Sequence, residues 1–237
     1  RFYFLQKGED LLRLDKTEGE HTVGDVVTGF VYVDKDDHRR LTTLEQKATN
    51  EHYGWGTVTA VRKDLGAFVD TGLPGKDVVV SLDNLPLEKD QWPKVGDQLY
   101  VKLIIDRKER IWGHLAWHED FWNLAGPGYD NMQNQDLRAI VYRNKESGTF
   151  VYLPDNNMLG FIHPNERFSV PRVGQELQVR VIGFRKEDHS LNLSAKPRAY
   201  EMLDADSQMI LAYLQSMGGK MAFNDKSNPD EIKATFG

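Results

Sequence analysis

Short runs of alternating hydrophobic and polar residues fill most of the chain. Val26-Val27-Thr28-Gly29-Phe30-Val31-Tyr32-Val33 reads as a strand, as do residues 98–105 and 176–184. Each run follows a similar tripeptide: Val23-Gly24-Asp25, Val95-Gly96-Asp97 and Val173-Gly174-Gln175. Each ends in a charged turn: Asp34-Lys35-Asp36-Asp37, Asp106-Arg107-Lys108-Glu109 and Arg185-Lys186-Glu187-Asp188. Further short strands follow near Leu41, Ile111 and Leu191, and two apolar runs joined by a polar turn predict a hairpin. The tripeptide glycines lie 72 and 78 residues apart, which marks an internal repeat.

Upstream of the tripeptide, two repeats also match each other. One reads Gly56-Thr57-Val58, Gly66-Ala67-Phe68-Val69 and residues 76–81. The other reads Ala139-Ile140-Val141, Gly148-Thr149-Phe150-Val151 and Gly160-Phe161-Ile162-His163. Five short β segments in about 70 residues suit a five-stranded OB barrel. The first repeat shows only its later portion, with Phe2-Tyr3-Phe4-Leu5 as its expected third strand, and reads as N-terminally incomplete.

Trp117, Phe121 and Leu124 fall on one face of a short helix, which predicts core packing at a barrel boundary in preference to the alternative, an aromatic cluster that binds bases. After Pro197 the texture turns helical. Ile210, Tyr213, Leu214 and Met217 form a stripe within a helix expected over 207–217, closed by Gly218-Gly219. Met221-Ala222-Phe223 reads as a short strand. Ser227 is the expected N-cap of a second helix, with Pro229 in its first turn. The chain is therefore expected to be mainly β. It is expected to comprise tandem OB-fold five-stranded barrels over 1–50, 51–120 and 121–198, and a partial α-helical domain over 199–237 that opens like a helix-turn-helix.

The net charge of −6 argues against a uniformly basic nucleic-acid binder. Region by region, only residues 121–198 are positive, with ten Lys and Arg against eight Asp and Glu. Cysteine is absent, which removes disulfides and thiolate metal sites and fits a reducing cytoplasm. No apolar run is long enough to span a bilayer as a helix. No phosphate-binding glycine loop or nucleophile elbow occurs, and His114 and His118 lack a metal-site context. Nothing in these patterns points to an enzyme, a cofactor or a metal.

OB barrels hold single-stranded nucleic acid by stacking bases on rings and placing cations along the backbone. Alternation puts Phe150 and Tyr152 on one side of their strand, and Phe161 and His163 share a side. These four rings are the expected stacking platform. Arg143, Arg180, Arg185 and Lys186 are its expected phosphate contacts.

The pattern Gly56-Thr57-Val58, Gly66-Ala67-Phe68-Val69 and Val95-Gly96-Asp97 through Val101-Lys102 to Asp106 resembles the S1 RNA-binding repeat. Leu191-Asn192-Leu193-Ser194-Ala195-Lys196 is similar to the close of such repeats. The order of repeats and tail resembles the conserved virulence factor B family of Gram-positive bacteria, which implies that the barrels are S1-type OB folds and that residues 199–237 are a partial α-helical winged-helix domain. Gly75-Lys76-Asp77, Leu82-Asp83-Asn84-Leu85-Pro86, Met217-Gly218-Gly219 and residues 223–227 carry that likeness. The resemblance implies RNA contacts at Phe68, Asp106 and Arg110 in the second repeat, and at Phe150 and His163 in the third. Leu65 stands where an aromatic is common, Val80 for the usual histidine, and Lys186 and Ser190 for the usual Asp and Arg.

The expected function is that of a non-catalytic, cytoplasmic protein that binds single-stranded RNA and regulates virulence-related genes. Ribosome or nuclease components are the further partners considered, and a membrane is not among them. The alternatives are a regulator that binds DNA through the winged helix, and a protein-interaction scaffold built on the Trp-rich second repeat (Trp55, Trp92, Trp112).

Overall fold

A computed structural model describes residues 2–108 and 110–236, in two compact units, residues 1–195 and 196–237. Arg1, Glu109 of the second charged turn and Gly237 lie outside the described residues, as do the side chains of Asp130 and of residues 199–205.

The first unit holds three consecutive β repeats. β1 (Phe2–Lys7), β2 (Asp10–Asp15), β3 (Phe30–Val33) and β4 (Arg39–Thr42) form a four-stranded sheet in the order β1-β2-β4-β3. β5 (Gly54–Arg62), β6 (Gly66–Asp70), β7 (Val78–Ser81), β8 (Gln98–Ile105) and β9 (Ile111–Leu115) close into a barrel ordered β5-β6-β7-β9-β8. β10 (Asp136–Lys145), β11 (Gly148–Leu153), β12 (Met158–Ile162), β13 (Glu176–Arg185) and β14 (Ser190–Ser194) repeat that order. In each closed barrel the third and fifth strands run parallel and every other pair antiparallel. This is the five-stranded OB topology.

Superposing registers corrects the first repeat. β2 pairs parallel with β4, as β7 does with β9, so β2 is the third strand and Phe2–Lys7 the second. The strand Asp10–Asp15 escapes pattern reading because charges flank its two buried positions, Leu12 and Leu14. Among the described residues the first repeat has no counterpart of β5. The run expected over 26–33 is a strand only from Phe30.

The repeated tripeptide is a backbone device. Gly24, Gly96 and Gly174 all have left-handed φ, at 102°, 94° and 84°. The residue after each glycine accepts a hydrogen bond from the backbone N–H three residues back. Asp25 accepts from Thr22, Asp97 from Lys94 and Gln175 from Arg172, at 2.7, 2.7 and 3.0 Å. The turn thereby ends one segment and aims the chain into the fourth strand.

Two barrel cores form from the inward positions. One includes Val58, Val69, Val80, Leu99 and Leu103; the other Val141, Val151, Ile162, Leu191 and Leu193. A third apolar cluster forms the seam between the closed barrels. α1 (His118–Leu124) drives Phe121, 1% exposed, between them, where its ring stacks on Tyr142 at 4.1 Å. Backbone bonds lace the same seam: Gln98 N–H to the Gly174 carbonyl and Val173 N–H to the Gln91 carbonyl, each 2.9 Å. The Arg172 guanidinium holds both Asp97 carboxylate oxygens at 3.1 Å.

In the second unit, α2 (Ala199–Ser216) begins well before the expected 207, and α3 spans Pro229–Phe236. Residues 221–223 form no strand. The cap of α3 is Asn228, whose side chain accepts from Asp230 N–H at 3.0 Å; Ser227 instead accepts from Asn224 N–H. Rings of Tyr213, Phe223 and Phe236 pack together at 5.1–5.9 Å. Among the described residues no helix is long and apolar enough to cross a membrane.

Candidate nucleic-acid interface

Sheet register sets the surface of the third barrel. Arg143 pairs with Phe150, Phe150 with Phe161 and Phe161 with Asn192, so these side chains form one row across four strands. The Phe150 and Phe161 rings meet edge to face at 5.2 Å. The Lys145 ammonium lies 5.3 Å from the Phe150 centroid, and the Arg185 guanidinium 5.5 Å from that of Phe161. Each ring thus sits beside a cation, the combination that single-strand binders use for base and phosphate.

Tyr152 does not join this surface. It shares Phe150's side of β11, as alternation requires, but that side runs from solvent into the seam. Tyr152 is 6% exposed, its ring stacks on Trp55 at 5.6 Å, and its hydroxyl bonds Asn157 at 2.7 Å. The platform therefore has two phenylalanines at its centre rather than four rings.

His163 lies at the platform's edge, where it caps a turn: its Nδ1 accepts from Asn165 N–H at 3.2 Å. Register places Ser81, not Val80, at the same position of the second barrel. Val80 is in the core, whereas the Ser81 hydroxyl accepts from Asp83 N–H at 3.3 Å. Asp15 does the same for Thr17 in the first repeat, at 3.0 Å. The histidine site of the resemblance is therefore a capping position in all three repeats.

The expected cations differ in their freedom. Arg185 pairs with Asp188 at 3.3 Å while covering Phe161. Lys186 is exposed in the turn that follows. Arg180 pairs in register with Asp136 and Ser194, off the phenylalanine row. Arg143 lies over Trp117, 5.4 Å from its ring. Ser190 stands where Arg110 stands in the second barrel, because Phe161 pairs with Asn192 as Val79 does with Trp112, two residues further on.

In the second barrel the equivalent row is Ala60, Phe68, Val79, Trp112 and Ile104. Phe68 is half-buried and has no ring opposite it. Arg110 lies over Trp112 at 5.3 Å and donates its Nε–H to Asp106 at 2.7 Å. Asp106 also accepts from the backbone N–H groups of Arg110 and Lys108 and from the Trp112 indole. The Arg110 backbone bond leads the effects that hold its carboxyl well below the usual range. Asp106 is thus an organising acceptor, and it presents Arg110 and Trp112.

Sequence reasoning missed Lys145, Trp112 and Phe4. Phe4 pairs with Arg13 as Phe68 does with Val79, so it is the first repeat's counterpart of Phe150, and it is 63% exposed. Trp55 and Trp92 of the Trp-rich repeat are used inside the chain. Trp55 lies in the seam, and the Trp92 indole donates to the Pro86 carbonyl at 2.6 Å.

A groove of about 760 Å³ adjoins the phenylalanine row, between the second and third barrels. Asn84, Leu87, Trp117, His118, Arg143 and Arg167 are among its walls. Trp117, expected in the core, is 51% exposed here. It precedes the first residue of α1, and its own N–H is held by the Asp120 carboxylate at 2.7 Å, which leaves the ring outside the seam. His118 Nδ1 bonds the Tyr142 hydroxyl at 2.7 Å; burial and nearby Lys145 push its pKa down, favouring the neutral ring.

Four family models match the chain in order. An S1 domain matches residues 1–44 and the CvfB first S1-like domain 53–114. The second domain of virulence regulatory factor CvfB matches 121–197, and a CvfB-like winged helix domain matches 208–237. The chain is 36% identical to the protein YitL of Bacillus subtilis, over 99% of this chain and 78% of that one. It is equally identical to conserved virulence factor B of Staphylococcus aureus strain N315, over 98% and 79%. It is also similar in structure to a Streptococcus pneumoniae multidomain protein with nucleic acid binding domains. That match has 65% identity and a TM-score of 0.83, and covers 100% of this chain and 83% of that one.

Proposed function

The chain belongs to the conserved virulence factor B family, and from that premise we propose that it is a non-catalytic regulator that binds single-stranded RNA. The third barrel carries the main site. Phe150 and Phe161 stack bases, while Arg143, Lys145, Arg185 and Lys186 meet phosphates. His163 shapes the edge of the site by holding its turn. Phe68, Trp112 and Arg110 form a secondary face on the second barrel, ordered by Asp106.

The observation that carries this reading is the Phe150–Phe161 pair flanked by Lys145 and Arg185. The kinship with a protein described by its nucleic acid binding domains supports it. So does the positive balance confined to residues 121–198. Through RNA the protein controls virulence-related genes in the cytoplasm, alongside ribosome or nuclease components.

Binding of a labelled oligouridine across a salt series tests the proposal. Four phosphate contacts predict a slope of log K against log salt near −3, by the rule of about −0.7 per contact for single strands. Salt-independent or absent binding contradicts it.

A further inference from the structure

The groove beside the phenylalanine row shares Arg143 and Lys145 with the two-ring platform and adds two groups that the platform does not use, Trp117 and Arg167. Three cations line it, Arg143, Lys145 and Arg167, and among the described residues none is ion-paired with a carboxylate. Arg138, Arg172 and Arg185 each have such a partner. Arg167 is fixed by a polar cluster: it donates to Thr149 and, at 3.4 Å, to Asn144, while the Asn144 amide donates to the Pro171 carbonyl at 2.7 Å. Its position is thus set in advance, with its charge unneutralised. Beside Arg143 stands Trp117, a large exposed ring on an ordered segment. Asp83, Glu88 and Glu146 also line the groove, so it is no general anion trap. The cationic character belongs to β10 and the segment after β12.

The groove and the platform are also continuous. Arg143 is the register partner of Phe150 and lines the groove; Lys145 lies against Phe150 and lines it too. His118, on the groove wall, packs edge to face on Phe150 at 5.4 Å. An RNA strand lying on Phe150 and passing over β10 therefore meets Trp117 next.

We propose that this inter-barrel groove is a second nucleotide subsite for single-stranded RNA. Trp117 stacks a base there, and Arg143, Lys145 and Arg167 hold the adjoining phosphates. The subsite rests on the RNA-binding reading of the third barrel and extends it. It sets the length of RNA the protein prefers, because only a strand that overruns the platform reaches it.

Anisotropy with labelled oligouridines about four and about ten nucleotides long, on the full chain, tests the subsite. Trp117→Ala is expected to weaken the longer probe about tenfold, a stacking-sized loss, and to leave the shorter one unchanged. Trp117→Phe, which keeps a ring, is expected to restore most of the loss. A thermal melt of each variant confirms that the exposed ring was not holding the fold. Equal binding of the longer probe by Trp117→Ala and parent overturns the subsite alone. So does an equal loss for both probes. Failure of the parent to bind either probe overturns the RNA reading with it.

Discussion

Gly148 lies under Phe161: a methyl group built on this glycine would stand 2.6 Å from the Phe161 ring and 2.5 Å from the Ile162 carbonyl. Its φ of 148° also belongs to glycine. The Gly-x-Phe pattern that opens β11 therefore serves the platform twice. It supplies Phe150 and leaves room for the ring opposite.

Gly148→Ala is expected to lower stability by more than about 1 kcal/mol and to weaken RNA binding by displacing Phe161. On Gly66, its counterpart on β6, a methyl group would come closer still, 2.0 Å from the Val80 carbonyl, and the φ there is 123°. Gly66→Ala should therefore destabilise the chain while leaving the Phe150–Phe161 face intact. Thermal melts paired with RNA titrations of both variants check this. Unchanged binding by Gly148→Ala would remove the link between the glycine and the platform.

His163 tests the difference between a cap and a contact. Its ring accepts the Asn165 N–H, as Ser81 accepts that of Asp83. His163→Ala is expected to cost about 1 kcal/mol in unfolding free energy, the usual value of a lost cap. His163→Ser should recover that stability, because serine does the same work in the second barrel. A chemical-denaturation series measures it. If alanine and serine prove equally destabilising, the capping role is wrong.

Phe121 joins the two closed barrels. Removing its ring opens the seam among Tyr142, Trp55, Tyr100 and Tyr152. Phe121→Ala is expected to cost roughly 3–5 kcal/mol. Its unfolding should also split into two transitions as the barrels lose their common apolar cluster. A single transition at the parent's midpoint would contradict the role given to this ring.

Much of this architecture is legible in the chain, because each repeat writes its turn chemistry plainly. The glycine tripeptides and charged turns mark the fourth and fifth strands in every copy. What alternation cannot convey is the cover over a strand's outer side. Phe150 and Tyr152 look alike in sequence, yet a neighbouring barrel buries only one of them. Helical spacing likewise groups Trp117 with Phe121, but Trp117 stands before the helix and stays exposed. The shift of the histidine site from Val80 to Ser81 is a register property. It shows only when β7 is paired with β6, and the same pairing logic recovers Phe4 in the first repeat.

Asp34 gives the first repeat an acid-sensitive element. Burial raises its pKa, but the N–H groups of His38 and Asp36 and the Arg40 guanidinium outweigh this and bring it from 3.8 to about 2. The folded value lies below the unfolded one, so the stabilisation is present above pH 3.8 and is lost as pH falls through about 2. It amounts to about 2 kcal/mol at neutral pH. Asp34→Asn should flatten the acid limb of a stability-against-pH curve. An unchanged limb would show that the carboxylate contributes nothing there.

The central claim is that Phe150 and Phe161 stack RNA bases. Phe150→Leu with Phe161→Leu keeps apolar bulk and removes both ring faces. Fluorescence anisotropy with a labelled oligouridine of about ten nucleotides, at fixed salt, should show affinity at least about tenfold weaker than the parent, with an unaltered melt. Parent-like affinity in that variant would contradict the account.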